Sequence, residues 1–500
     1  MNSTGSETIQ ISALMESSGV KFGTSGARGL ADDMTDYVCY AYSLAFLEYL
    51  LESKQITTGD RVAIAGDYRP SSPRIMAAVA KAVVDIDCEP VNCGFIPTPA
   101  VACYAMNLNL ASIMVTGSHI PDDRNGIKFY KPAGEILKAD EQLMCSREVE
   151  IKEGLFDPHG KALITSLPIE QPNAYRDYVQ RYLDFFPTDA LKGYKIGVYE
   201  HSSVARDILG EVIEGLGANV VRLNRSKKFI PVDTEAIRPE DVALALEWSR
   251  EYELDCIVSA DGDGDRPLVS DENGEWLRGD VAGILCARFL GAKHVATPVS
   301  CNSAVEKCGW FDQVDRTRIG SPFVIAAMDE AVAAGSENVV GYEANGGFLT
   351  ASDIELNGKS LTALPTRDAV IVPLTILMLA KEHNVSITGL LKQLPQRFTS
   401  SDRLKAFPTE LSQQRLSPLS NDNDENNKCE AEAILGDLFG KVISIDNTDG
   451  VRITFASNEV VHLRPSGNAP ELRCYNEADS EQRAVEMNKT CLALLESWRR

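Results

Sequence analysis

The stretch Asp255-Cys-Ile-Val-Ser-Ala-Asp-Gly-Asp-Gly-Asp-Arg266 decides how this chain is read. Asp255–Ser259 has the short apolar pattern of a buried strand. The acidic loop Asp261–Arg266 follows at once, at the C-terminal end of the strand, where open α/β sheets place ligands. Asp261, Asp263 and Asp265 alternate with glycine, so a tight loop can turn all three carboxylates inward. Such a cluster is costly unless a cation neutralises it, and hard cations such as Mg²⁺ prefer oxygen ligands. The cationic Arg266 then suggests an anion beside the metal, and metal plus anion points to phosphate chemistry. A calcium hand is the competing reading, because the three aspartates and Glu272 fall at its ligand spacing. Arg266 stands where that loop requires glycine, and the flanks read as strands rather than helices.

Working outward, strand-like and helix-like segments alternate. Upstream come strand Arg61–Gly66, helix Pro73–Ile86, strands Leu110–Val115 and Lys195–Tyr199, helix Ala205–Leu216, strand Asn219–Leu223 and helix Pro239–Tyr252. Downstream come helix Gly279–Leu290, strand His294–Pro298, helix Ser321–Ala334 and strand Asn338–Tyr342. This rhythm implies βαβ units and parallel or mixed sheets. The last hundred residues differ. Ser420–Lys428 reads as a polar loop, then Lys441–Ile445, Val451–Phe455 and Glu459–Leu463 as short strands, and Ser480–Trp498 as a closing helix. The expectation is an α/β chain with α/β domains over 1–169, 170–273 and 274–396, and a smaller α+β domain over 397–500.

Composition narrows the function. Of 500 residues, 44% are hydrophobic and 24% charged, as in ordinary globular domains. The net charge of −23 argues against a nucleic-acid partner, but leaves room for a few converging arginines around a phosphorylated small molecule. Met1–Gln10 has no signal-like character, and no apolar run is long enough to span a bilayer, so no membrane partner is expected. The twelve cysteines include no Cys-x-x-Cys, which fits free thiols in a reducing cytoplasm.

Four further loops carry chemistry. Thr116-Gly-Ser-His-Ile-Pro121 follows a strand and exposes Ser118 to act as a nucleophile or carry a phosphoryl group; Lys128 can fold back over it across a turn at Asn125-Gly126. Taken alone, that segment reads more simply as a hairpin turn with an incidental serine. Lys21–Gly29 is rich in small residues and ends near Arg28, which suits an anion or a structural turn. In Gly341–Gly347, Glu343 and Asn345 alternate and could face a polyol, although in isolation the segment reads better as a glycine-rich turn. In Arg464–Arg473, two arginines bracket the turn Ser466-Gly467-Asn468, a set of donors suited to a phosphate dianion.

The set and order of these loops, from Phe22 to Glu477, resembles the α-D-phosphohexomutase family of phosphomannomutases, phosphoglucomutases and phosphoglucosamine mutases. The resemblance implies three similar α/β domains with mixed sheets followed by a smaller C-terminal α+β domain. It implies that Ser118 carries phosphate and, with Asp261, Asp263 and Asp265, holds Mg²⁺. Arg28, His119 and Arg266 would surround that phosphate. Lys128 would be the general acid/base, its pKa lowered toward roughly 7–8 by burial or neighbouring cations. Glu343 would hold sugar hydroxyls, and Arg464, Ser466, Gly467 and Asn468 the non-reacting phosphate. The implied reaction interconverts hexose 1-phosphate and hexose 6-phosphate through a hexose 1,6-bisphosphate intermediate. Mannose is the leading sugar, with glucose or glucosamine as alternatives. A non-catalytic phosphosugar-binding protein and a metal-dependent phosphatase are the readings of other classes. Three departures from the family's usual motifs stand out: Gly117 in place of alanine, Glu-Ala-Asn-Gly-Gly-Phe at the sugar loop, and Gly-Asn-Ala-Pro-Glu at the phosphate loop.

Overall fold

The structure is a computed structural model that describes residues 5–23, 25–164, 166–421, 423–466 and 470–499. Its first three sheets repeat one plan. In the first, Arg61–Gly66 pairs in parallel with Glu89–Asn92 and Ala111–Val115, and Arg124–Lys131 returns antiparallel to Ala111–Val115. In the second, Lys195–His201 pairs in parallel with Asn219–Arg225 and Cys256–Ala260, and Pro267–Val269 returns antiparallel. In the third, His294–Pro298 pairs in parallel with Gln313–Thr317 and Val339–Tyr342, and Phe348–Thr350 returns antiparallel. The first sheet is extended by Ala27–Leu30 and Lys21–Phe22, both antiparallel.

This plan fixes where chemistry can occur. In each domain the last parallel strand and its antiparallel return are joined by one loop. Those loops are 116–123, 261–266 and 343–347, so the serine, acidic and sugar segments occupy one equivalent position in three repeats. The central strands are buried on both faces, as expected where helices cover both sides.

The fourth sheet is wholly antiparallel, in the order Phe398–Lys405, Glu471–Ala478, Val460–Pro465, Val451–Phe455, Val442–Asp446. Its core, built on Phe407, Leu435, Ile453, Leu472, Met487 and neighbours, is its own. By contrast one continuous core runs through the first three domains, from Ala63 and Tyr104 through Tyr178 and Ile196 to Tyr342 and Leu377. The expected fold class is therefore the observed one.

One segment differs from its sequence reading. The polar stretch expected to form a loop over Ser420–Lys428 starts a helix, Asp424–Phe439. Asn423 caps it by accepting a hydrogen bond from Asn426 N at 3.2 Å, and Asp424 and Glu425 lie in the first turn, where the helix dipole favours acid. The acidity that resembled a solvated loop is the signature of a helix start. Replacing Asn423 by alanine is expected to weaken this cap by about 1 kcal/mol, speeding amide exchange in the helix's first turn about fivefold, as hydrogen-exchange mass spectrometry can read.

Candidate active site

The acidic loop is a tight turn closed by Asp261 N donating to Arg266 O at 3.0 Å and Gly264 N donating to Asp261 O at 3.1 Å. Gly264 has φ of 68°, a region that costs other residues about 1 kcal/mol or more. All three aspartates are fully buried, and their carboxylate oxygens lie within 4.8 Å of one another. Asp263 Oδ1 and Asp265 Oδ1 have no hydrogen-bond partner. Buried anionic oxygens in that state call for a cation, and an all-oxygen donor set suits Mg²⁺.

The serine loop meets this turn from the first domain. Ser118 is buried rather than exposed as its post-strand loop suggests, because the acidic loop of the second domain covers it, and it is left-handed, with φ of 55°. Its Oγ donates to Asp261 Oδ2 at 2.6 Å, and its backbone N donates to Thr116 Oγ1 at 2.7 Å. Lys128 lies on the return strand of the same hairpin. Its Nζ donates to Asp263 Oδ2 at 2.7 Å and Asp265 Oδ2 at 2.6 Å. The cross-domain contact is tightened by Thr98, whose Oγ1 donates to Asp263 Oδ2 at 2.6 Å.

The charges explain the titration behaviour. Burial and the neighbouring Asp263 and Asp265 push Asp261 well above the usual carboxylate range. Burial would also raise Asp265, but Arg367 and Lys128 more than reverse it, and Asp265 sits far below that range. The expected lowering of Lys128 is not met. Burial acts in that direction, yet the carboxylates of Asp263 and Asp265 override it and raise the amine. His119 approaches Ser118 Oγ through Nδ1 at 3.4 Å, and Arg266, burial and Arg28 drive its pKa from 6.5 down to about 2. Arg28 itself is lowered to about 10, by burial and then by Arg266. Arg28, on strand Ala27–Leu30, is paired opposite Gly126 and so stands beside the hairpin that carries Lys128. Among the described residues Arg28 has no carboxylate at salt-bridge distance. Arg28 and Arg266 thus surround a neutral His119 with positive charge beside Ser118.

The sugar loop reaches the same centre through a residue that the sequence motifs do not mark. Arg367 Nη2 donates to Asp265 Oδ2 at 2.8 Å and its Nη1 to Glu343 Oε2 at 3.2 Å, linking the second and third domains. A signal for it is present in the chain: Arg367-Asp368 is a charged pair inside the apolar run Ala363–Leu374, and buried charges come in pairs. Asp368 is held in turn by the hydroxyls of Tyr178, at 2.7 Å, and Tyr182. Asn345 is buried, but its Oδ1 accepts from Gly347 N at 2.9 Å and its carbonyl accepts from Thr234 Oγ1 at 2.7 Å, so its side-chain oxygen shapes the loop.

The phosphate loop lies on the fourth sheet. Arg403, Arg473 and Arg464 stand in register on three adjacent strands, a row of three arginines across the sheet. Arg464 Nε makes a 2.8 Å ion pair with Asp449 Oδ2, and the same oxygen accepts from Ile319 N of the third domain at 3.0 Å. Arg473 Nη2 lies 3.8 Å from Glu471 Oε2. Ser466 is buried, with its N donating to Glu471 O at 2.8 Å. Gly467 and Asn468 lie outside the described residues.

Comparison with known proteins agrees with this architecture. Family profiles described as phosphoglucomutase/phosphomannomutase α/β/α domains I, II and III match residues 19–152, 173–274 and 278–398, and that of the C-terminal domain matches 420–491. The chain is 44% identical over 484 residues to a phosphomannomutase of Salmonella muenchen, covering 97% of each. In fold it is similar to a phosphoglucomutase/phosphomannomutase family protein of Burkholderia thailandensis, with TM-score 0.71, 19% identity and coverage of 95% and 97%. It is also similar in fold to an Aspergillus fumigatus N-acetylphosphoglucosamine mutase in complex with GlcNAc-6P and magnesium, with TM-score 0.59, 14% identity and coverage of 98% and 99%. The chain belongs to the phosphoglucomutase/phosphomannomutase family, the α-D-phosphohexomutases. It is accordingly a mutase, an enzyme of the isomerase class. No helix among the described residues is long and apolar enough to cross a membrane.

Because the folded value of His119 lies below that of a free histidine, the unfolded chain takes up the extra proton first. The site therefore opposes folding progressively as pH falls from 6.5 toward about 2. In the dephosphorylated enzyme, His119 is expected to stay neutral by NMR titration down to at least about pH 4, and a transition near pH 6 would contradict the cationic surroundings described.

Proposed function

We propose that this enzyme interconverts mannose 1-phosphate and mannose 6-phosphate, with Ser118 carrying the transferred phosphoryl group. The observation that carries the proposal is the convergence of Ser118 Oγ, three buried carboxylates and Lys128 Nζ, with Ser118 2.6 Å from Asp261 and Lys128 within 2.7 Å of Asp263 and Asp265. The preference for mannose rests on the 44% identical relative named a phosphomannomutase.

Asp261, Asp263 and Asp265 would hold Mg²⁺, which their two unpartnered oxygens favour. Bound there, the ion supplies neutralisation of charge on the transferring phosphoryl group. Arg28 and Arg266 orient the phosphate on Ser118, and neutral His119 can donate a hydrogen bond to it. A hydroxyl of the bound sugar phosphate attacks phosphorus, the bond to Ser118 Oγ breaks, and a new phosphate ester forms on the sugar. Lys128 accepts the hydroxyl proton when its amine is neutral, and Ser118 Oγ takes up a proton as it leaves, which restores the serine hydroxyl. The same steps in reverse, on the other phosphate of the bisphosphorylated sugar, return a phosphoryl group to Ser118. Asp263 and Asp265 raise Lys128, so Lys128 would favour its neutral amine if those carboxylates were engaged by a cation.

Glu343, oriented by Arg367, faces the sugar hydroxyls, while Arg464, Ser466, Gly467, Asn468 and Arg473 hold the distal phosphate. The separate core of the last domain supports its opening and closing over the intermediate. Glucose and glucosamine phosphates are the alternative substrates, and turnover of each sugar phosphate, primed with its bisphosphate, decides the sugar. No turnover with mannose 1-phosphate would overturn this assignment. Inorganic phosphate released as fast as sugar is consumed would replace the mutase reaction by hydrolysis.

Ser118→Ala is expected to lower kcat by about 10³-fold or more with the fold intact, and intact mass before and after phosphatase treatment should show one phosphate lost from the wild type only. Lys128→Met is expected to lower kcat by about 10²–10⁴-fold, with affinity for the bisphosphate little changed, as calorimetry would read.

A further inference from the structure

The sequence departs from its family's usual motif at Gly117, and the structure supplies a reason. Arg69, on the loop after strand Arg61–Gly66, is 1% exposed. A guanidinium has five N–H donors, and here each finds an oxygen. Nε donates to Asp67 Oδ2 at 3.0 Å. Nη1 donates to the carbonyls of Pro121 at 2.5 Å and Arg124 at 2.9 Å. Nη2 donates to the carbonyls of Ser118 at 2.8 Å and Ile120 at 2.6 Å. Three of the five acceptors are main-chain oxygens of the Ser118 loop, and a fourth is that of Arg124, the first residue of the return strand.

Asp67 completes the clamp from the other side. Its Oδ2 also accepts from Thr116 Oγ1 at 2.7 Å, and Thr116 Oγ1 in turn accepts from Ser118 N. Both the N–H and the C=O of Ser118 are thereby tied to the Asp67–Arg69 pair. The guanidinium lies over the Phe229 ring of the second domain, 4.1 Å from its centroid. A methyl group at position 117 would sit 2.6 Å from Arg69 Cζ, so the approach of the guanidinium requires glycine there.

We infer that Arg69 is a positioning residue for phosphoryl transfer: it holds Ser118 in its left-handed conformation, with Oγ aimed at Asp261, and Gly117 is the space it needs. The inference rests on Ser118 as the phosphate carrier. Lysine cannot substitute, having three donors on a point charge against five in a planar fork.

The test is single-turnover transfer from bisphosphate-primed enzyme to mannose 1-phosphate, by rapid quench, in wild type, Arg69→Lys and Gly117→Ala. Thermal melting is run alongside. Each variant is expected to transfer about 10²-fold more slowly, the cost of roughly 1 Å of misplacement. KM for the sugar phosphate should stay within about threefold, since Arg69 touches no substrate. The double variant should be little worse than either single one, because both act on the same contact. Folded variants that transfer at the wild-type rate, or that lose only KM, would overturn the inference. If Arg69→Lys does not fold, the transfer rate of Gly117→Ala decides the matter alone. A wild type that carries no phosphate on Ser118 would instead overturn the proposed function, which separates the two failures.

Discussion

Three carboxylates buried within 4.8 Å of one another repel strongly, and the rest of the site is arranged around that repulsion. The three cations that form ion pairs with these carboxylates come from different parts of the fold. Lys128 is contributed by the first domain, Arg266 by the second and Arg367 by the third. Neutralising one loop thus draws three domains to one point. In a low-dielectric interior an unpaired charge is worth several kcal/mol of penalty, so this arrangement acts on the packing of the domains as well as on chemistry.

The repeated sheet plan explains how such convergence is possible. Parallel strands aim their C-terminal ends the same way, and an antiparallel return leaves one loop at that end. Placing the serine, acidic and sugar loops at the same station of three similar units brings them face to face once the units pack on a common core. Arg367 Nη2 on Asp265 and Ser118 Oγ on Asp261 are the two closures of that ring.

What can be read in the sequence is local. Strands Arg61–Gly66, His294–Pro298 and Val451–Phe455 and helix Pro239–Tyr252 fall where the sequence pattern puts them, to the residue, because apolar period and flanking turns lie within a few positions. The acidic loop and Ser118 are visible for the same reason. Arg367 is marked only by its charged neighbour Asp368 within an apolar run; its role is hidden because its partner Asp265 is 102 residues away. Lys128 shows the other limit: its position on a hairpin is legible, but the direction of its pKa depends on two carboxylates 135 and 137 residues distant. The helix Asp424–Phe439 is obscured because a cap and a charged loop share a composition.

The last domain's independent core has a consequence for the fate of an intermediate. On the proposed reading, a bisphosphorylated sugar is held at one end by the acidic centre and at the other by the arginine row of the fourth sheet. Two anion sites on separately folded bodies make the ligand bivalent. When one end lets go, the other keeps it at high effective concentration, and recapture outruns escape. A monophosphate has a single handle and no such retention. The protein can therefore release its products and keep its intermediate with the same set of contacts, the difference being only how many ends are charged.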